Sequence, residues 1–90
     1  MNENDMYYDF GLSVMNKVRD RVRGKIVFEA YKEIDAVIFK IYFKDFSFKY
    51  VVKNVTNLVL TGGSDTAVEE LMKKYREVVM KAFFKAENKF

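Results

Sequence analysis

The chain has 90 residues, of which half are hydrophobic and 32% are charged. This composition is typical of one globular domain rather than of a disordered chain. Lys and Arg number 16 against 13 Asp and Glu, so the formal net charge is +3. The sequence contains no Cys and no His, which excludes disulfides, thiolate chemistry and the commonest general base and metal ligand. We therefore expect one domain over residues 1–90 that is not an enzyme and has no metal or cofactor.

The first predicted element is a helix from about Asn4 to Arg23. Apolar side chains recur at every fourth position of this segment, which makes one buried stripe: Phe10, Val14, Val18 and Val22. Gly11 interrupts the stripe at a cost of about 1 kcal/mol relative to Ala, which predicts a close approach to another backbone there. Gly24 fits the left-handed residue that ends many helices.

The next thirty residues alternate between apolar and polar side chains and are rich in Ile, Val, Phe and Tyr. This pattern predicts three β-strands, over residues 25–32, 36–43 and 46–53. A two-residue turn at Lys44-Asp45 fixes the register of the second pair of strands. A turn centred on Glu33-Ile34 fixes that of the first pair, with Ala30 opposite Val37. Both registers pair apolar with apolar residues on the same face, which predicts an antiparallel meander with a Phe-rich core face.

We expect residues 54–63 to form a connection, with at most a short extended or single-turn segment near its middle. Three possible helix caps follow at Ser64, Asp65 and Thr66, of which Thr66 has the spacing of a capping box with Glu69. A second amphipathic helix is predicted to run from there to about Glu87. The element order α-β-β-β-α predicts an α+β fold, in which a three-stranded antiparallel meander carries two helices packed on one face.

The opposite face of the predicted sheet carries candidate binding residues. The predicted register places Lys40 opposite Lys49, and like charges across a ladder are mildly destabilising, which indicates a role other than fold stability. We also expect Val27, Ile38 and Val51 to form an apolar row across this face. Tyrosines interleaved with lysines on an open sheet are typical of a platform for single-stranded nucleic acid, although a solvated outer face explains them too. The candidates are Tyr31, Lys40, Tyr42, Lys49 and Lys53.

Two further groups of residues extend this set. Five bases within nine residues lie where the first helix is predicted to end, namely Lys17, Arg19, Arg21, Arg23 and Lys25. Cations suit a helix C-terminus, but this density also predicts contact with a partner or with nucleic acid. On the second helix, Met80 and Phe84 lie outside the core stripe, which predicts an exposed pair and a homodimer formed through it.

Three carboxylates, Glu29, Glu33 and Asp35, crowd the first predicted hairpin. Carboxylates are ligands for hard cations, but the spacing is not that of a calcium-binding loop. We therefore predict a solvated turn rather than a metal site.

The segment Met6-Tyr7-Tyr8-Asp9-Phe10-Gly11 leads into a helix, and three strands and a long helix follow. In this start, in its element order and in its Lys-, Asn-, Phe- and Tyr-rich composition, the chain resembles small accessory proteins of Gram-positive bacteriophages. That class includes anti-CRISPR proteins, which are small, non-enzymatic binders that inhibit host defence. The resemblance implies a host protein as partner, such as a CRISPR or other defence nuclease. Many such inhibitors are acidic and imitate DNA, whereas this chain is basic.

The N-terminal segment is acidic, unlike the basic start of a signal peptide, and no stretch of 18 apolar residues occurs. We therefore expect the protein to act in the cytoplasm of a bacterial host cell, away from the membrane. The leading hypothesis is a stoichiometric inhibitor or modulator of a host protein. The alternative is a basic nucleic-acid-binding protein that uses the Lys/Tyr sheet face and the basic end of the first helix.

Overall fold

The computed structural model describes the chain over residues 3–43 and 46–87, and its side chains over residues 6–43 and 47–82. It confirms the predicted α+β fold and adds one short helix. The helices are α1 (Glu3–Val18), α2 (Val55–Leu60) and α3 (Ser64–Glu87), and the strands are β1 (Lys25–Tyr31), β2 (Ala36–Phe43) and β3 (Phe46–Lys53). A single 3-10 turn, Lys32–Ile34, lies between β1 and β2.

The three strands form one antiparallel sheet in the order β1-β2-β3. Ala30 pairs with Val37, and Phe39 pairs with Phe28 on one side and Tyr50 on the other. Both predicted registers are therefore confirmed. They follow from the side-chain period of two, because a slip of one residue would turn the Phe-rich face towards water.

The core lies between one face of the sheet, called here the inner face, and the helices α1 and α3. Helix α1 buries Tyr7, Phe10, Val14 and Val18, and helix α3 buries Ala67, Val68, Leu71, Met72 and Tyr75. At Gly11 a Cβ atom would collide with the ring of Phe28 in β1. The close approach predicted at Gly11 is real, although the neighbour is a side chain rather than a backbone.

The first helix ends at Val18, five residues before the predicted end at Arg23. The N–H of Arg21 donates to the Val18 carbonyl at 2.8 Å, and the N–H of Arg23 donates to the hydroxyl of Tyr75 in α3 at 2.8 Å. Val22 is buried as its periodicity predicts, but it belongs to this turn and not to the helix. Gly24 is left-handed at φ 99° and leads into β1 instead of ending α1.

The connection predicted over residues 54–63 contains the helix α2, which is a correction to the predicted element order. Val55 is fully buried, and Asp35 holds the start of α2. One oxygen, Oδ1 of Asp35, accepts hydrogen bonds from the Tyr7 hydroxyl at 2.9 Å, the Thr56 N–H at 3.0 Å and the Thr56 hydroxyl at 2.7 Å. The Asp35 carbonyl also accepts the Val55 N–H at 3.1 Å.

This arrangement corrects the prediction of a solvated turn for Asp35. Its backbone is left-handed at φ 51°, a conformation that Asp tolerates better than most residues. Hydrogen bonds from Thr56 above all, and also from Tyr7, hold the pKa of the Asp35 carboxyl below its ordinary value. Asp35 therefore joins three elements, α1, α2 and the start of β2.

The capping box predicted at Thr66 is not formed as expected, because α3 begins two residues earlier at Ser64. The N–H groups of Thr66 and Ala67 both donate to the carbonyl of Gly63, at 3.1 and 3.3 Å. Thr66 thus lies inside the first turn of α3.

Candidate binding surface on the outer face of the sheet

The outer face of the sheet is the one turned away from α1 and α3. The alternation of β-strand side chains places every second residue of β1, β2 and β3 on it. Tyr42 and Val51 are 47% and 43% exposed there, whereas Ile38 is half-buried and Ala36, at the far end of β2, is buried. Both helices were predicted to lie on one side, and this open side is the consequence.

The register arranges the outer face in four rows that run across the three strands. They are Lys25–Tyr42–Ser47, Val27–Lys40–Lys49, Glu29–Ile38–Val51 and Tyr31–Ala36–Lys53. The apolar row predicted from Val27, Ile38 and Val51 is therefore wrong in one member, because Val27 stands opposite Lys40. Ile38 and Val51 do lie opposite each other, so the apolar area is a pair rather than a row.

The predicted like-charge pair, Lys40 opposite Lys49, is present, and a neighbouring carboxylate compensates it. Glu29 lies diagonally across from Lys40, and its Oε1 atom is 3.2 Å from the Lys40 ammonium. The hydroxyl of Tyr31 donates to the other oxygen of Glu29. The tolerance of two facing lysines thus has a local electrostatic explanation.

These contacts shift the pKa values of Glu29 and Lys40. The Tyr31 hydroxyl first, and then the Lys40 ammonium, hold the pKa of the Glu29 carboxyl below its ordinary value. Glu29 in turn raises the pKa of Lys40. Both groups are charged near neutral pH, so Glu29 is a fixed carboxylate on an otherwise cationic face. The sequence singles out Glu29 only as one of three carboxylates at the first hairpin, although the predicted register already puts it two residues before Tyr31 and diagonal to Lys40.

The basic residues predicted around the end of the first helix are divided by the structure. Lys17 belongs to the helix layer, where its ammonium lies 2.7 Å from Asp65 at the start of α3. Arg19, Arg21 and Arg23 are exposed and lie in residues 19–24, called here the basic segment. This segment leads directly into Lys25 on the first outer row.

The basic segment is held against that row by its backbone. A Cβ atom on Gly24 would collide with the carbonyl oxygen of Tyr42, so only glycine permits this approach without displacement. The N–H of Arg23 is anchored by the Tyr75 hydroxyl. The basic segment therefore continues the end of the sheet that carries Tyr42, whereas Lys53 and Tyr31 lie in the row at the other end.

The outer face and the basic segment together make a surface that we call the basic surface. It carries seven of the Lys and Arg residues (Arg19, Arg21, Arg23, Lys25, Lys40, Lys49 and Lys53) against two carboxylates, Asp20 and Glu29. Its formal charge is +5, whereas the whole chain has +3, so the rest of the molecule is net negative. Four of the seven basic residues lie on the outer face and three in the adjoining basic segment.

Met80 and Phe84 are the pair predicted to mediate self-association. Met80 is 71% exposed on α3, as predicted, and the side chain of Phe84 lies outside the described side chains. Over residues 3–43 and 46–87, no group of three metal-ligating side chains is assembled. Within the same ranges no helix has the length and apolarity to cross a membrane.

No protein-family model matches this chain, and comparisons with curated proteins and with solved structures found no significant match.

Proposed function

We propose that the protein is a non-enzymatic binding protein that engages an acidic macromolecule through its basic surface. One observation carries the proposal: over the described residues, the sheet face turned away from α1 and α3 has four lysines against one carboxylate, and the basic segment adjoins it. The absence of His and Cys from the sequence supports binding over catalysis, because it removes the residues most often used as general bases and nucleophiles.

The partner suggested by the resemblance to phage accessory proteins is a protein of the bacterial host cell, such as a CRISPR or other defence nuclease. In this proposal the protein acts in the bacterial cytoplasm by occupying an acidic surface of that partner. The exposed Val51 and the half-buried Ile38 offer apolar contact area beside the lysines, and complementary charge raises the rate and specificity of association.

The test compares two charge reversals of equal size. Lys49→Glu reverses a charge at the centre of the basic surface, and Lys73→Glu reverses one on the exposed side of α3. Immobilised wild type and both variants are incubated with lysate of a Gram-positive bacterium that has been treated with nuclease, so that nucleic acid cannot bridge the proteins. We expect one protein to be retained by wild type and by Lys73→Glu, and lost from Lys49→Glu. Retention of the same proteins by all three chains would contradict the proposal.

We also propose that the protein forms a homodimer through the exposed side of α3 around Met80. Burying that side chain against a second copy would recover about 25 cal/mol per Å² of apolar area. Light scattering over a wide concentration range should show a dimer for wild type and a monomer for Met80→Glu. A wild-type monomer throughout the range would refute the dimer, and a dimer unaffected by Met80→Glu would place the contact elsewhere.

A further inference from the structure

We propose that the basic surface binds single-stranded nucleic acid, with the ring of Tyr42 stacking on a base while Lys25, Lys40 and Lys49 contact phosphates. The inference goes beyond the proposed function, because it assigns a nucleic-acid ligand to the surface that is proposed there to meet an acidic host protein. The adjoining basic segment extends the phosphate contacts beyond the edge of the sheet.

The first argument is the placement of Tyr42 among cations. It lies in the row between Lys25 and Ser47, and the next row along the sheet contains Lys40 and Lys49. Neighbouring strands are about 4.8 Å apart, and side chains on one face of a strand repeat every 6.7 Å or so. The exposed ring of Tyr42 therefore has one lysine beside it in its own row and two in the next row, and a ring among cations is the combination that unpaired strands require.

The second argument is the type of basic side chain on the outer face. All four basic residues on the outer face are lysines, and Lys is depleted from the cores of protein interfaces, whereas Arg and aromatic residues are enriched. Lysine is a usual partner of phosphate as a point charge. A lysine-rich face therefore suits contact with a phosphate backbone.

The third argument is the state of the single carboxylate on the outer face. Both oxygens of Glu29 already have partners, Lys40 and Tyr31, which reduces the repulsion that Glu29 exerts on an approaching phosphate. The same contacts also weaken phosphate binding, because the Glu29 carboxylate competes with phosphate for the Lys40 ammonium. Removal of this carboxylate should strengthen binding of a polyanion, whereas it would do little for a purely apolar contact.

Single strands are favoured over duplexes because stacking on Tyr42 needs an unpaired base. A duplex buries its base faces, and its major groove admits a helix or a two-stranded ribbon rather than the face of a three-stranded sheet. The test therefore uses labelled oligothymidylate and oligouridylate of about 16 nucleotides, at the upper end of the site sizes of small single-strand-binding folds. A duplex of the same length is the third probe.

Binding is measured by fluorescence anisotropy in rising salt. For about four phosphate contacts, the logarithm of affinity should fall with the logarithm of salt concentration at a slope of about −3. Lys49→Glu should weaken binding about tenfold or more, and the matched reversal Lys73→Glu by less than about twofold. The two homopolymers distinguish DNA from RNA as the source of the strand.

Two further pairs of variants separate stacking from charge. Tyr42→Ala should weaken binding by about fivefold or more, whereas Tyr42→Phe should stay within about twofold because it keeps the ring. Glu29→Gln should strengthen binding by about twofold to fivefold, and Glu69→Gln, an equal charge change on the exposed side of α3, should not.

The inference is overturned if the duplex binds as well as the single strands, or if Lys49→Glu and Lys73→Glu weaken binding equally. It is also overturned if no oligonucleotide binds at about 50 mM salt. In that last case the lysate experiment still decides the proposed function, since a protein lost only from Lys49→Glu would support it. Failure of both measurements would remove both proposals.

Discussion

The inner and outer faces of the sheet are built from alternate residues of the same three strands, yet they differ in almost every physical property. On β2, Val37, Phe39 and Ile41 are buried on the inner face, whereas Tyr42 is 47% exposed on the outer face. Inner neighbours contact rings, as Phe28 and Phe39 do with centroids 6.0 Å apart. Outer neighbours instead make hydrogen bonds and ion pairs.

This difference separates the residues that hold the fold from those available for binding. Inner and outer residues alternate along each strand. A substitution on the inner face should therefore change the free energy of unfolding, whereas a substitution of the next residue, on the outer face, should not. Variants of the outer face can therefore report on binding without loss of folding. The following predictions test that separation, from the largest expected effect to the smallest.

Phe39→Ala should lower the free energy of unfolding by about 3–5 kcal/mol, a large part of the total for a domain of this size. Phe39 is fully buried in the central strand, so its truncation removes apolar contacts and leaves a cavity. Urea denaturation followed by circular dichroism measures the change. Tyr42→Ala, in the same strand, is the control and should change it by less than about 0.5 kcal/mol. Equal losses from the two variants would contradict the separation of the faces.

Gly11→Ala should lower the free energy of unfolding by about 1–2 kcal/mol, although alanine favours a helix by about 1 kcal/mol. The added Cβ would meet the Phe28 ring, including its Cγ atom at 2.9 Å, so the ring as a whole must move. The same denaturation experiment decides which effect is larger. A gain in stability would show that α1 can move away from β1 at little cost.

Asp35→Asn should destabilise the fold near neutral pH, and the loss should shrink as the pH falls below about 4. The folded-state pKa of Asp35 is lowered, chiefly by the Thr56 hydroxyl. The carboxylate therefore contributes stability that is complete above its unfolded pKa and is lost as the pH falls through the folded value. Asparagine, like aspartate, tolerates the left-handed backbone at this position.

The measurement is urea denaturation of wild type and Asp35→Asn at a series of pH values. Glu33→Gln removes an equal charge from the exposed turn beside Asp35 and serves as the control, with a pH profile that should follow that of wild type. A difference between wild type and Asp35→Asn that stays constant down to pH values well below 4 would contradict the role of the charge.

Lys49→Glu should leave thermal stability unchanged or raise it slightly, because it replaces a like-charge pair with Lys40 by an opposite-charge pair. Differential scanning calorimetry measures the midpoint. This is the smallest effect expected here, and it matters because the same variant should strongly weaken binding. A clear fall in the midpoint would mean that loss of binding by Lys49→Glu reports on folding instead.

The amino-acid sequence by itself determined the strands, both registers and therefore the membership of the two faces. This was possible because an alternation of period two leaves one register in which apolar residues meet on both sides of β2, and neighbouring registers expose Phe39 and Ile41. The long helix α3 was likewise evident from its stripe and its length. The sequence also placed Lys40 opposite Lys49 before any contact was known.

Only the tertiary structure decided how the segments between these elements are arranged. The end of α1 depends on Tyr75, which is 52 residues further along the chain than Arg23, and Val22 is buried whether the helix continues or not. The helix α2 depends on Asp35, whose carboxylate meets Tyr7 and Thr56 only after folding. Pairing of Glu29 with Lys40 needs both the register and the choice of rotamers. Local pattern fixes which face a residue occupies, but hydrogen bonds between distant residues fix where helices end and which charges remain available for a partner.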